Sequence, residues 1–231
     1  MHKKKKGDPR ESAVFLRTFP GAINKGDRRK SEILETAVNC FALEGVESTS
    51  FQVIGAKLGI GRAHSSYYFK TKSALIEEVM RFCISTGQEL TINQIKKATN
   101  PQEKVLAVLD GAIDWCDQYP AHAICHVLLF HVAAYDKKFK KLYTQIRHTG
   151  TKRMVSLLEE YFADKNLSRA TLVVLAHQIQ GMITANILAY FTMEELLPSS
   201  EAPGARFDCS LAGVSQMARD GILALLASVK E

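Results

Sequence analysis

Cysteine is scarce in this sequence. Its five copies, Cys40, Cys83, Cys116, Cys125 and Cys209, follow no repeating spacing. An odd, unpatterned set excludes a disulfide scaffold and suits a reducing cytoplasm. Proline and glycine, at 6 and 14 residues, are too few for a chain built from tight turns, and strand-like alternation is equally rare. No apolar run reaches the roughly 18–20 residues of a membrane span, so no membrane partner is expected. The N-terminus carries lysines with no apolar stretch behind them, which excludes a secretory leader. The sequence also offers no nucleophile–base pair, phosphate loop or carboxylate dyad at a suggestive spacing, so no catalytic residue and no cofactor is expected.

What remains is a chain with 46% hydrophobic residues, enough for a packed core. Its apolar side chains recur at intervals of three and four, the period of helices. The expected fold is all-α, with about nine helices. Residues 1–27 read as a basic flexible tail broken by Gly7, Pro9, Pro20, Gly21 and Gly26. A first helix over residues 28–44 has Ile33, Leu34, Ala37, Val38, Phe41 and Ala42 on one face and Gly45 as its C-cap. After it come two short helices, then a long one from Thr71 or Lys72 to Lys97. Asn100-Pro101 stops that helix and starts the next. Five more follow: Pro101–Gln118, one from Pro120, then residues 136–163, 168–193 and 209–229, with a Pro/Ser/Gly loop at 194–208.

Charge is distributed unevenly. Residues 1–72 hold 14 Lys+Arg against 7 Asp+Glu, while residues 73–231 hold 16 against 17. Lys3 to Lys6 supply part of this excess, and solubility alone would account for them. The excess nevertheless coincides with a helix-turn-helix spacing at about 50–69. Gln52 to Leu58 is a compact amphipathic helix capped by Ser50, Gly59-Ile60-Gly61 is the turn, and Arg62 to Phe69 is a second helix rich in polar and aromatic groups. Such a second helix can enter a DNA major groove, and cations around it neutralise phosphates.

These residues resemble the TetR/AcrR family of bacterial transcriptional regulators. The resemblance rests on Phe41-Ala42-x-x-Gly45, Ser48-Thr49-Ser50, Ile54-x-x-x-Leu58-Gly59-Ile60, Tyr67-Tyr68-Phe69 and Lys72-x-x-Leu75. It implies a DNA-binding domain at 28–72 and a ligand-binding and dimerisation domain at 73–231. It also implies a homodimer formed by the last two helices, at about 168–193 and 209–229. One departure stands at Ser65-Ser66, where the family usually has a bulky apolar residue, often Leu, and then Tyr. Ser65 should face the helix-turn-helix core, with a loss of about 1–2 kcal/mol of apolar burial relative to Leu.

The expected DNA-binding residues are Ser50, Gln52, Arg62, Ala63, His64, Ser66, Tyr67 and Lys72. Arg62 can donate bidentately to guanine or contact a phosphate. His64 and Tyr67 share its exposed face. Lys72, at the start of a helix, resembles the family's phosphate-binding lysine. Ser50 and Gln52 can donate to the sugar-phosphate chain, although capping alone would explain Ser50. His122, Cys125 and His126 lie on neighbouring faces of one helix; they fit pocket polarity better than a metal, which lacks further ligands. Gln178, Met182, Asn186 and Tyr190 project from the most apolar helix, where buried amides need a ligand or another subunit as partner. Trp115 is either pocket wall or core. The expected function is a cytoplasmic, ligand-responsive repressor that binds a palindromic operator as a dimer and is released by a small molecule. The alternative is an all-helical small-molecule carrier or enzyme without DNA binding.

Overall fold

The computed structural model describes residues 25–193 and 208–229. Among these residues the chain is nine α-helices with no strand. They are α1 (Lys25–Glu44), α2 (Phe51–Leu58), α3 (Arg62–Tyr68), α4 (Lys72–Lys97), α5 (Pro101–Gln118), α6 (Pro120–Tyr135), α7 (Lys137–Tyr161), α8 (Arg169–Thr192) and α9 (Leu211–Ser228). The expected basic tail, up to residue 24, and the expected loop at 194–207 lie outside the described residues. Residues 25–27 form the first turn of α1 rather than the end of a tail.

The helix boundaries follow from local chemistry. Ser50 accepts a hydrogen bond from the Val53 amide and caps α2. Asn100 accepts from the Glu103 amide, and the Glu103 carboxylate accepts in return from the Thr99 amide at 2.8 Å. That reciprocal arrangement, with Pro101 in the first turn, starts α5 sharply. It also holds the Glu103 carboxyl below the usual range, chiefly through the Thr99 amide. Asp136, Ser168 and Ser210 cap α7, α8 and α9 in the same way.

The helices fall into two compact units. The first contains residues 25–89 together with Ala121–His131 of α6. Its core is the apolar face of α1 (Ile33, Leu34, Ala37, Val38, Phe41) with Ile54 of α2, Phe69, and Leu75, Val79 and Met80 of α4, all fully or almost fully buried. The second contains Leu90–Pro120 and the described residues from Val132 onward. There α8 lies between α7 and α9. Val105 and Leu109 of α5, Met154 and Leu158 of α7, Leu175 and Ile179 of α8, and Ile222 of α9 share one apolar cluster. Each such side chain contributes about 1.5–3 kcal/mol by leaving water. Gly111 of α5 lies so close to Thr91 of α4 that a β-carbon would collide with the Thr91 backbone.

Two features depart from the sequence-based expectation. Helix α8 is long and apolar enough to cross a membrane by length and composition, although no such segment was expected. It nevertheless packs Leu172, Leu175, Ala176, Ile179 and Ile183 into the core of the second unit. Tyr68, expected in the core, is half-buried, whereas Phe69 beside it is buried. Four of the five cysteines sit inside: Cys40, Cys83, Cys116 and Cys125 are buried, while Cys209 is half-buried. Burial pushes the Cys116 thiol up to about 12 and raises those of Cys40 and Cys83.

Two glycines shape the helix-turn-helix of the first unit. Gly59 takes a left-handed conformation (φ 64°), which lets the Ile60 amide donate to the Gly55 carbonyl at 2.9 Å and folds α3 back across α2. Gly55 faces this turn, and a β-carbon there would stand 2.7 Å from the Ile60 carbonyl oxygen. Ser65 of α3 is fully buried, as its position in the motif requires, and its hydroxyl finds no hydrogen-bond partner among the described residues. An unpaired buried hydroxyl costs about 1–3 kcal/mol. Ser65→Ala should therefore leave the melting temperature unchanged or raise it, by the equivalent of up to about 1 kcal/mol. Gly55→Ala, which drives a methyl group onto a backbone oxygen, should lower it. Thermal melts of the two variants check this, and a fall for Ser65→Ala would show that the hydroxyl is bonded after all.

Candidate nucleic-acid interface

Helix α3 shows solvent one continuous face. Arg62, Ala63 and His64 are exposed, Tyr67 is 81% exposed, and Ser66 is half-buried with its hydroxyl donating to the Ala63 carbonyl at 3.1 Å. The opposite side carries Ser65, which fixes the helix against Gly55. The aromatic rings are organised rather than loose. Tyr67 and Tyr68 stack edge to face at 5.3 Å, and the His64 ring lies 5.9 Å from that of Tyr68. With only seven residues, α3 is too short to be stable alone, so its orientation is set by α2 and the turn.

Beside this face is an open cleft of about 240 Å³, lined by Thr49, Ser50, Phe51, Gln52, Arg62, Lys72 and Leu75. Four of the residues expected from the sequence to meet DNA, Ser50, Gln52, Arg62 and Lys72, converge here from three different helix starts. Ser50 is the cap of α2, and its hydroxyl oxygen is occupied by the Val53 amide, leaving its O–H to donate outward. Gln52 is exposed in the first turn of α2, Arg62 opens α3, and Lys72 opens α4. The Lys72 ammonium donates to the Glu47 carbonyl oxygen at 3.0 Å and lies 4.0 Å from the Glu47 carboxylate, which is itself fully exposed. That bond holds the lysine over the cleft and ties the α1–α2 connection to α4.

Two contributors carried no clear sequence signal. Thr49 is buried and its hydroxyl donates to the Gly45 carbonyl at 2.9 Å, which shapes the loop that forms the cleft wall. Glu47 acts through its main chain, which any residue would supply. The Ser48-Thr49-Ser50 run was the one available hint for the first.

The residues expected to meet a small molecule divide between the units. His122 and His126 belong to the first. His122 is buried, with Nε2 3.7 Å from a Glu35 carboxylate oxygen and its ring against Phe82 at 5.2 Å. His126 is half-buried with its ring against Phe130. Cys125 between them donates to the Val38 carbonyl at 3.6 Å, so this helix face packs on α1 and α4. Among the described residues, no group of three or more His, Cys, Asp or Glu stands close enough to hold a metal ion. The other members lie in the second unit. Trp115 is buried, Gln178 is exposed, and Met182, Asn186 and Tyr190 are half-buried. The Asn186 amide donates to the Met182 carbonyl at 2.8 Å. The buried amide of α8 is Gln180, which accepts from the Thr151 hydroxyl at 3.3 Å.

The comparisons with known proteins agree with this geometry. Residues 33–79 match the family model described as bacterial regulatory proteins, tetR family. No curated relative matches the sequence. Solved structures share the fold at low identity. A transcriptional regulator from Saccharomonospora viridis in complex with choline is 15% identical with a TM-score of 0.71, covering 85% of this chain and 96% of that one. A TetR-family regulator from Cytophaga hutchinsonii, 12% identical, also has a TM-score of 0.71 and covers 91% of this chain and 98% of that one. A TetR/AcrR-family regulator from Thermobifida fusca, 18% identical, has a TM-score of 0.62 and covers 88% of this chain and 100% of that one. The motif and the matched residues 33–79 mark a tetR-family helix-turn-helix DNA-binding domain, and among the described residues the nine-helix order is the fold of these solved regulators.

Proposed function

We propose that the protein is a ligand-responsive repressor that binds a palindromic operator as a homodimer and leaves it when a small molecule binds. The observation that carries this reading is the convergence of Ser50, Gln52, Arg62 and Lys72 on one cleft beside the exposed face of α3. In this reading a phosphate of the DNA backbone sits at the cleft, held by Lys72 and the Ser50 hydroxyl. Arg62, Ala63, His64, Ser66 and Tyr67 then face the major groove, with Arg62 positioned for a guanine edge or a second phosphate. Residues 28–72 carry this contact, residues 73–231 carry the effector and dimer contacts, and the protein works in the cytoplasm.

Dimerisation is assigned to α8 and α9. Val174, Gln178, Gly181 and Ala185 are all exposed on α8 at alternating steps of four and three, so they form one stripe. Nothing lies within 4 Å of a β-carbon at Gly181, which leaves that stretch of backbone open to a close neighbour. A second copy would cover the stripe and give the Gln178 amide its partner. The effector is a small apolar or amphipathic molecule, assigned to Trp115, Met182, Asn186 and Tyr190 in the second unit. The choline held by the Saccharomonospora viridis regulator is consistent with this class of ligand. Effector binding weakens operator affinity only by its preference for one of two conformations.

Two experiments test these assignments. Selection of bound sequences from a random duplex pool should recover a palindromic motif with the parent chain and none with an Arg62→Ala, Lys72→Ala variant that remains folded. Equal enrichment by both would refute the cleft assignment. Sedimentation velocity should show a dimer for the parent and a folded monomer for Val174→Glu, Ala185→Glu. A dimer that survives this change lies elsewhere.

A further inference from the structure

Helix α7 carries a second cationic surface, separate in sequence from the helix-turn-helix. From Lys137 to Arg153 it has five lysines, two arginines and no acidic residue. The acidic residues nearest in sequence are the capping Asp136 and, beyond this stretch, Glu159 and Glu160. Lys137, Lys140, Lys141 and Lys152 are exposed, and among the described residues their ammonium groups form no ion pair. The acids at the far end are already engaged, Glu160 by Lys104 at 2.6 Å and Glu159 by Arg169 at 3.3 Å. Arg153 is half-buried with no ion pair among the described residues, and burial holds its guanidinium below the usual range. Unneutralised charge of one sign is thus concentrated along one face of α7.

The chemistry of the surface selects its partner. The same exposed face carries Thr144, Gln145, His148 and Thr149, all able to donate to phosphate oxygens. Its apolar face, with Phe139, Leu142, Met154, Val155 and Leu158, is buried in the second unit, so α7 cannot lay that face into a bilayer. No exposed large apolar side chain lies within α7 to anchor a protein partner. At about 1.5 Å per residue the acid-free stretch extends roughly 24 Å, a large part of the ~34 Å turn of a duplex.

We propose that the exposed face of α7 binds the phosphate backbone of double-stranded DNA without reading its sequence, as a contact additional to that of the helix-turn-helix. The protein then carries two DNA-binding surfaces, one for sequence and one for backbone alone. This inference builds on the regulator reading, but the surface stands or falls on its own measurement.

The test uses the full chain and a random-sequence duplex over a range of salt. Lys137→Gln, Lys141→Gln should make the slope of log affinity against log salt shallower by about 2, close to 0.9 per lost phosphate contact. Lys96→Gln, Lys97→Gln removes the same charge from exposed positions on α4 and should change the slope by less than half as much. Equal changes in the two variants, or none in the first, would overturn the proposal. Loss of binding to vesicles containing phosphatidylserine, with duplex binding unchanged, would overturn it in favour of a membrane. An Arg62→Ala, Lys72→Ala variant separates the two surfaces. It should lose the selected palindrome while keeping the part of the random-duplex slope that α7 supplies. If it keeps the palindrome, the helix-turn-helix reading fails and the α7 measurement is unaffected.

Discussion

The candidate interface depends on the close approach of two short helices at Gly55. Helix α3 has seven residues and cannot hold its own shape in water. It is held because Gly59 adopts a left-handed conformation, the Ile60 amide reaches back to Gly55, and Gly55 has no side chain to keep the turn away. Ser65 completes this contact with a small buried group where a large apolar one would need more room. The recognition face of α3 is therefore fixed by backbone geometry and small residues more than by apolar burial. That arrangement orients Arg62, His64 and Tyr67 outward but gives the pair little hydrophobic reserve.

Electrostatics acts on that frame. Lys72 is anchored by a main-chain carbonyl, so its ammonium stays over the cleft without a buried counter-charge that would compete strongly with a phosphate. The Glu47 carboxylate is fully exposed and 4.0 Å away, where solvent screens it. Arg62 and Lys72 come from different helix starts, so their spacing is set by the same turn that orients α3. Charge on α7 follows a different logic: it is spread along an exposed helix face, which suits backbone contact without geometric selection.

Much of the fold was legible in the sequence because its signals are local. Ser50, Asn100-Pro101, Pro120 and Ser168 mark helix starts by chemistry confined to one turn, and the predicted limits agree closely with the helices found. The placement of Ser65 inside the helix-turn-helix was legible for the same reason. Longer-range features were not. Helix α8 is apolar nearly all round, so the sequence leaves its rotational phase open, and Gln180 rather than Gln178 is the buried amide. The inclusion of Ala121–His131 in the unit that holds the helix-turn-helix depends on contacts such as Cys125 to Val38, between residues far apart in sequence. The anchoring of Lys72 was invisible because its acceptor is a backbone oxygen.

The central claim is that residues 50–72 form the DNA contact. Hydrogen exchange of the full chain, with and without a duplex recovered by selection, measures it most directly. The account predicts that the largest slowing on DNA binding falls on the amides of α2, the turn, α3 and the first turn of α4. Unchanged exchange across residues 50–72, in a sample where the protein is bound to the duplex, would contradict it.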